Sequence, residues 1–250
     1  QFVSLIVIAA VYFKKGVGLE SGMRYLKPEK KTLGSIYAIG LPAIVMQILT
    51  PIMSYALNLI LGAISVSAVT AYGVYYKLQN FIFMPGYGRN NASIPIISYN
   101  FGAKNKVRVS QTIRYGLIYV SVIMLIGIIL LQLFARQIVG IFSVTEESHQ
   151  LCVLALRIIT CGFFFAGANI ILQGVCQALG KGGYSLIISL LRFVVLALPL
   201  AWALSLTENA ANLVWLSLPV AEAGACFIAI LLTRQTYRRF DTRITSICKK

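Results

Sequence analysis

Thr112–Phe134 reads TIRYGLIYVSVIMLIGIILLQLF, with Arg114 as its one charged residue. About 20 apolar residues of helix cross the ~30 Å hydrocarbon core of a bilayer, and this stretch is long enough. A soluble domain would break such a run with turn residues. Five further apolar segments flank it, at about Ile36–Ala63, Ser67–Ile97, Leu151–Leu179, Tyr184–Leu206 and Asn212–Thr233. Across the 250 residues, 58% are hydrophobic and only 12% charged, about half the charge a soluble domain carries. The expected fold is therefore all-α, a polytopic membrane helix bundle.

Residues 1–13 are apolar and stop at Lys14-Lys15. About 12 residues are too few to span, so this segment reads as the end of a transmembrane helix that begins upstream. Residues 14–35 then form a polar loop, 36–233 a six-helix lobe, and 234–250 a basic tail. Net charge is +15, but its distribution speaks for a membrane rather than nucleic acid. Basic residues crowd 14–34, 103–114, Lys181 and 234–250, whereas the alternate loops hold Arg136 with Glu146, Glu147 and Glu208. By the positive-inside bias, the 14–35 loop and the C-terminus, Cys248 included, are cytoplasmic. No nucleic-acid-binding motif accompanies the charge. The five cysteines form no CxxC pair and read as small buried hydrophobes rather than metal ligands. Asn91-Ala-Ser93 fits a glycosylation sequon but sits within or beside a span, where it carries little weight.

Charges inside a span cost about 2.5–3.5 kcal/mol each on insertion scales, and so face a cavity or one another. Lys77, Arg89, Arg157, Arg192 and Glu222 are in that position. At 1.5 Å per residue, Glu222 lies about 15 Å deep and Arg192 at a matching level on the neighbouring helix of a hairpin. The two are the most economical buried ion pair, and Glu222 is equally a candidate for ion coupling. Arg89 is near an interface, where its stem can snorkel. Uncharged polar residues form a second set. Tyr72, Tyr76, Gln79 and Asn80 are spaced i, i+4, i+7, i+8, and Asn169, Gln173, Gln177 repeat every four residues. Such stripes are either interhelical hydrogen-bond glue or a cavity wall. With Lys77 and Arg157, the residues Tyr72, Tyr76, Gln79, Asn80, Asn169 and Gln173 are the expected substrate-cavity set. Pro42, Pro51, Pro85, Pro95, Pro199 and Pro219 fall within the spans, where each removes a helix hydrogen bond and favours bending. The single histidine, His149, is on a loop, so no enzyme constellation is legible.

Ala71–Pro85 (AYGVYYKLQNFIFMP), Asn90-Asn91 and Pro95–Ala103 (PIISYNFGA) resemble a helix and following loop of multidrug and toxic compound extrusion (MATE) transporters, notably the MepA-like bacterial branch. Phe142–Glu147, Gln177–Lys181, Ser189–Arg192 and Leu218–Glu222 are similar to markers of its later helices, in order. The resemblance implies a twelve-helix exporter of two six-helix lobes, of which this chain is the C-terminal one, its N-terminal lobe being absent. It implies a bacterial plasma membrane, drug-like cationic or amphipathic substrates, and exchange for sodium ions or protons, with no other cofactor. Some branches carry acids where Thr50 and Asn169 stand here, and Arg89 occupies a position usually apolar. A lipid-linked sugar flippase of the wider superfamily and a non-transporting scaffold are the alternative readings.

Overall fold

The computed structural model describes residues 2–15 and 29–247, all-helical with no strand among them. Its helices are α1 (Phe2–Lys15), α2 (Lys30–Ile64), α3 (Val66–Gly102), α4 (Lys106–Gly140), α5 (Glu146–Thr160) and α6 (Phe163–Ala178). Then follow α7 (Gly182–Leu190), a π-helical segment (Leu191–Ala197), α8 (Leu198–Ser205), α9 (Ala210–Leu213), a 3₁₀ turn (Val214–Leu216) and α10 (Ser217–Ile247). The chain divides into two compact units, Gln1–Ala38 and Ile39–Lys250. In the first, α1 leaves Phe2, Leu5, Ile6 and Ile8 exposed. Most of the expected 14–35 loop lies outside the described residues, as does Cys248.

Local chemistry sets the turns of the second unit. Ser65 Oγ accepts from the Ala68 N–H at 3.0 Å and starts α3, and Asn105 Oδ1 accepts from the Arg108 N–H at 3.1 Å to start α4. These are N-cap bonds that satisfy otherwise orphaned donors. Gly180, at φ +72°, closes α6. The Lys181 N–H reaches the Cys176 carbonyl and the Gly180 N–H the Gln177 carbonyl, the bond pattern of a left-handed glycine terminus.

α3 packs on α4, α5 and α6, and α10 on α6 and the π segment. The core runs through Leu57 and Leu61 of α2, Tyr75 and Phe83 of α3, Met124 of α4 and Phe163 of α6. Phe83 meets Phe163 edge-on at 4.9 Å. Small residues bring the backbones together, as expected where helices associate in lipid. A Cβ on Gly167 would lie 2.7 Å from both Met124 and Val120. On the outside of α4, Leu125, Ile126, Ile129, Leu130 and Leu133 are exposed, a continuous apolar face suited to acyl chains.

Among the described residues, four helical spans are long and apolar enough to cross a membrane, and the bent pair α5–α6 makes a fifth. The sixth expected span, α3, forms a 37-residue helix but does not meet that apolar criterion. Lys77, Gln79, Asn80, Arg89, Asn90 and Asn91 interrupt its hydropathy. The expected single helix over 151–179 is instead two, bent by 50°. At the break, the Cys161 and Gly162 N–H groups bond three residues back, to Ile158 and Ile159. Gln132 of α4 then takes up the Arg157 carbonyl at 2.8 Å and Thr160 Oγ1 at 3.0 Å. This 50° bend therefore lies at a site without proline. Pro42, Pro51, Pro85 and Pro95 sit inside continuous helices, and Pro219 lies in the first turn of α10, where its missing N–H is least costly. Pro199 cannot donate to the Val195 carbonyl. Just ahead of it the ladder shifts to π spacing, and the Leu198 N–H reaches the Phe193 carbonyl five residues back.

Two side-chain bonds fix which ends of the helices meet. Ser98 Oγ donates to the Ala178 carbonyl at 3.0 Å, so the basic turns at Lys104 and Lys181 share one end of the bundle. Ser148 Oγ donates to Ser67 Oγ at 3.2 Å, placing Glu146 and Glu147 at the end where α3 begins.

Candidate functional site

Four elements surround a cavity of about 570 Å³. α2 contributes Gln47 and Thr50, α3 contributes Tyr87, Asn90 and Asn91 as well as Asn80, α6 contributes Gln173 and Gln177, and the α7–π stretch contributes Ser189 and Arg192. Arg192 is the one charged residue of the lining. At Gly174 of α6 the Asn90 carboxamide of α3 fills the space a Cβ would take, so a side chain there would have to displace it.

Behind this wall is a buried charge network. The π register carries Arg192 toward α10, where its Nε donates to Glu222 Oε1 at 2.7 Å and its Nη2 to the same oxygen. Asn169 Nδ2 donates to the other oxygen, Oε2, at 2.9 Å, and to the Glu222 backbone carbonyl at 3.0 Å. The guanidinium also lies over the Phe193 ring at 4.7 Å. The Arg192 and Glu222 side chains are only 7% and 14% exposed, so each supplies the counter-charge the other needs. Glu222 does not line the cavity; Arg192 does.

The expected cavity residues divide. Asn80 and Gln173 line the cavity, whereas Tyr72, Tyr76, Lys77, Gln79, Arg157 and Asn169 do not. Tyr72 is buried in the core, with its ring 5.9 Å from that of Tyr75. Lys77 is exposed with Nζ 5.7 Å from the Phe142 ring centre, and Arg157 is exposed on α5. Asn169 is fully buried and committed to Glu222. The α3 stripe divides because its buried face follows Ala68, Ala71, Tyr72 and Tyr75, a set rotated from the one polarity suggested. Tyr87, Asn90, Asn91 and Ser189 were missed as lining residues. Polarity alone did not separate them from interhelical glue, although the Asn90-Asn91 pair was a legible signal. Arg89 donates to Ser93 Oγ, and its guanidinium carbon lies 5.8 Å over the Tyr119 ring. Among the described residues no cluster of His, Cys, Asp and Glu is placed to hold a metal ion.

A family model described as MatE matches residues 42–203, well over half of the chain. The chain belongs to the MATE family. Its MATE sequence is 26% identical over 238 residues to the multidrug export protein MepA of Staphylococcus haemolyticus, covering 95% of the chain and 52% of that relative. It is 27% identical over 223 residues to MepA of Staphylococcus aureus strain MSSA476, covering 89% and 49%. The chain thus spans about half the length of the curated relatives it matches. The MATE lobe superposes with a TM-score of 0.89 on an outward-facing multidrug resistance MATE transporter, at 20% identity over 96% of this chain and 55% of that one. The bent form of the Vibrio cholerae transporter VcmN gives 0.85, at 21% identity over 96% and 54%.

Proposed function

We propose that this chain is the C-terminal half of a secondary active multidrug exporter. It works by alternating access, expelling cationic or amphipathic compounds in exchange for sodium ions or protons. The observation that carries this reading is the polar cavity between α2, α3, α6 and the α7–π stretch, in a chain half the length of relatives named as multidrug export proteins. Transporter lobes place their binding sites where repeats face one another, and one lobe supplies one wall. The basic end, with Lys104 and Lys181, is the cytoplasmic end, and Glu146 is on the outside.

The flippase alternative calls for a basic groove. A single basic residue, Arg192, lines this cavity, and two of its nitrogens are bonded to Glu222. Coupling draws on a carboxylate, and Glu222 serves only after its pair with Arg192 opens; otherwise an acid of the other lobe serves.

Ethidium efflux from an efflux-deficient host tests the reading. The chain joined to its other half should extrude the dye, and residues 1–250 alone should not. No extrusion by the joined protein rejects the exporter, and extrusion by the single half rejects the two-lobe cavity.

A further inference from the structure

We infer that this wall of the cavity is a subsite for a carboxylate on the transported compound, with Arg192 and Gln173 as its specificity-determining residues. The inference rests on the exporter reading and names the chemistry that its C-terminal half selects.

Charge placement is the first ground. No acid lines the cavity, while Arg192 does and its counter-charge Glu222 stands outside the lining. The pair is neutral as a whole, and its basic member is the one that lines the cavity. Both Nε and Nη2 of Arg192 are spent on a single Glu222 oxygen. Asn169 holds the other Glu222 oxygen, so the carboxylate is fixed on the α10 side and does not swing forward to neutralise the cavity face.

Unmet donors are the second ground. Gln173 Nε2 is buried and has no hydrogen-bond partner, a costly state for an amide. Ser189 Oγ donates to Gln173 Oε1 at 3.4 Å, and Ser185 Oγ anchors the Gln173 backbone carbonyl at 2.7 Å. The amide oxygen thus has a partner in Ser189, and the nitrogen has none. One turn further along α6, Gln177 Nε2 meets only the Met46 sulfur, at 4.0 Å. A carboxylate accepts several such bonds and prefers charged donors. A ligand's cationic end finds no carboxylate on this wall.

A matched pair of probes tests this on the purified full-length protein: a cationic xanthene dye with a free carboxylate, and its methyl ester. Affinities are read by fluorescence anisotropy. Wild type should bind the free acid about tenfold more tightly than the ester, the effect of roughly one charge-assisted hydrogen bond. Gln173→Glu removes the free donor and adds negative charge. It should erase that preference by weakening the acid, so that the acid binds no more tightly than the ester. Arg192→Gln combined with Glu222→Gln removes the charge without stranding a partner, and should weaken the acid alone by about tenfold. Equal wild-type affinity for the two dyes, no binding of the acid, or parallel loss of both in the variants overturns the inference. Ethidium carries no carboxylate, so failure of the exporter reading would appear in the efflux assay and leave this binding test intact.

Discussion

Gly162, at the break between α5 and α6, lies so close to Pro219 of α10 that a Cβ there would stand 2.7 Å from Pro219 Cα and 3.0 Å from its Cβ. The obstacle is backbone and a rigid ring, neither of which turns aside. Bend and crossing therefore depend on each other: α5–α6 folds at a point where Pro219 of α10 presses against it.

Gly162→Ala should accordingly destabilise the protein by about 1–3 kcal/mol, the usual cost of overpacking. Gly73 meets nothing within 4 Å, and Gly73→Ala should be neutral or stabilising by up to about 1 kcal/mol, as for an exposed helix glycine. Thermal unfolding of the full-length protein in detergent separates the two. Equal Tm values for both variants would show that the contact at 162 is slack.

Gln132 bridges the same break from α4. Gln132→Leu keeps much of the volume but leaves the Arg157 carbonyl without its amide donor, and should cost about 1 kcal/mol. Loss of protection should appear locally, as faster amide hydrogen exchange at Cys161 and Gly162. Unchanged exchange there would mean that the bend is held by packing alone.

The Arg192–Glu222 pair predicts a specific non-additivity. Glu222→Gln should cost about 3–5 kcal/mol in the wild-type background because it strands a buried guanidinium. With Arg192→Met already present the same substitution should cost markedly less. The double-mutant cycle, followed by Tm, reads the difference. Strictly additive effects would mean the charges do not support one another.

Topology gives an outcome that does not depend on transport. A cysteine at Glu146 should react with a membrane-impermeant maleimide added to intact cells, and one at Lys104 should react only after permeabilisation. The reverse pattern would invert the orientation drawn from the basic loops.

Much of this protein follows from one-dimensional properties. Apolar length alone places spans in Thr112–Phe134 and its neighbours, because hydrocarbon admits backbone only when a helix satisfies its own hydrogen bonds. Depth along two helices of a hairpin is also linear, so Arg192 and Glu222 were legible as partners before any contact was seen. The marker segments carried the family for the same reason: they are local and ordered along the chain.

Three features were decided only by the tertiary structure. The break at Cys161–Gly162 carries no proline, and arises where Pro219 and Gln132 of other helices meet it. Asn169 shares a four-residue repeat with Gln173, yet it turns to Glu222 while Gln173 faces the cavity. Tyr72 and Asn80 likewise share a polar stripe on α3, but one is buried against Tyr75 and the other lines the cavity. Periodicity fixes how residues are arranged around one helix. The rotation of that helix against its neighbours depends on close approaches such as Gly174 against Asn90, set by contacts far apart in sequence. A polar side chain becomes glue or wall according to that rotation, which is why the cavity emerged from packing and the spans from the sequence.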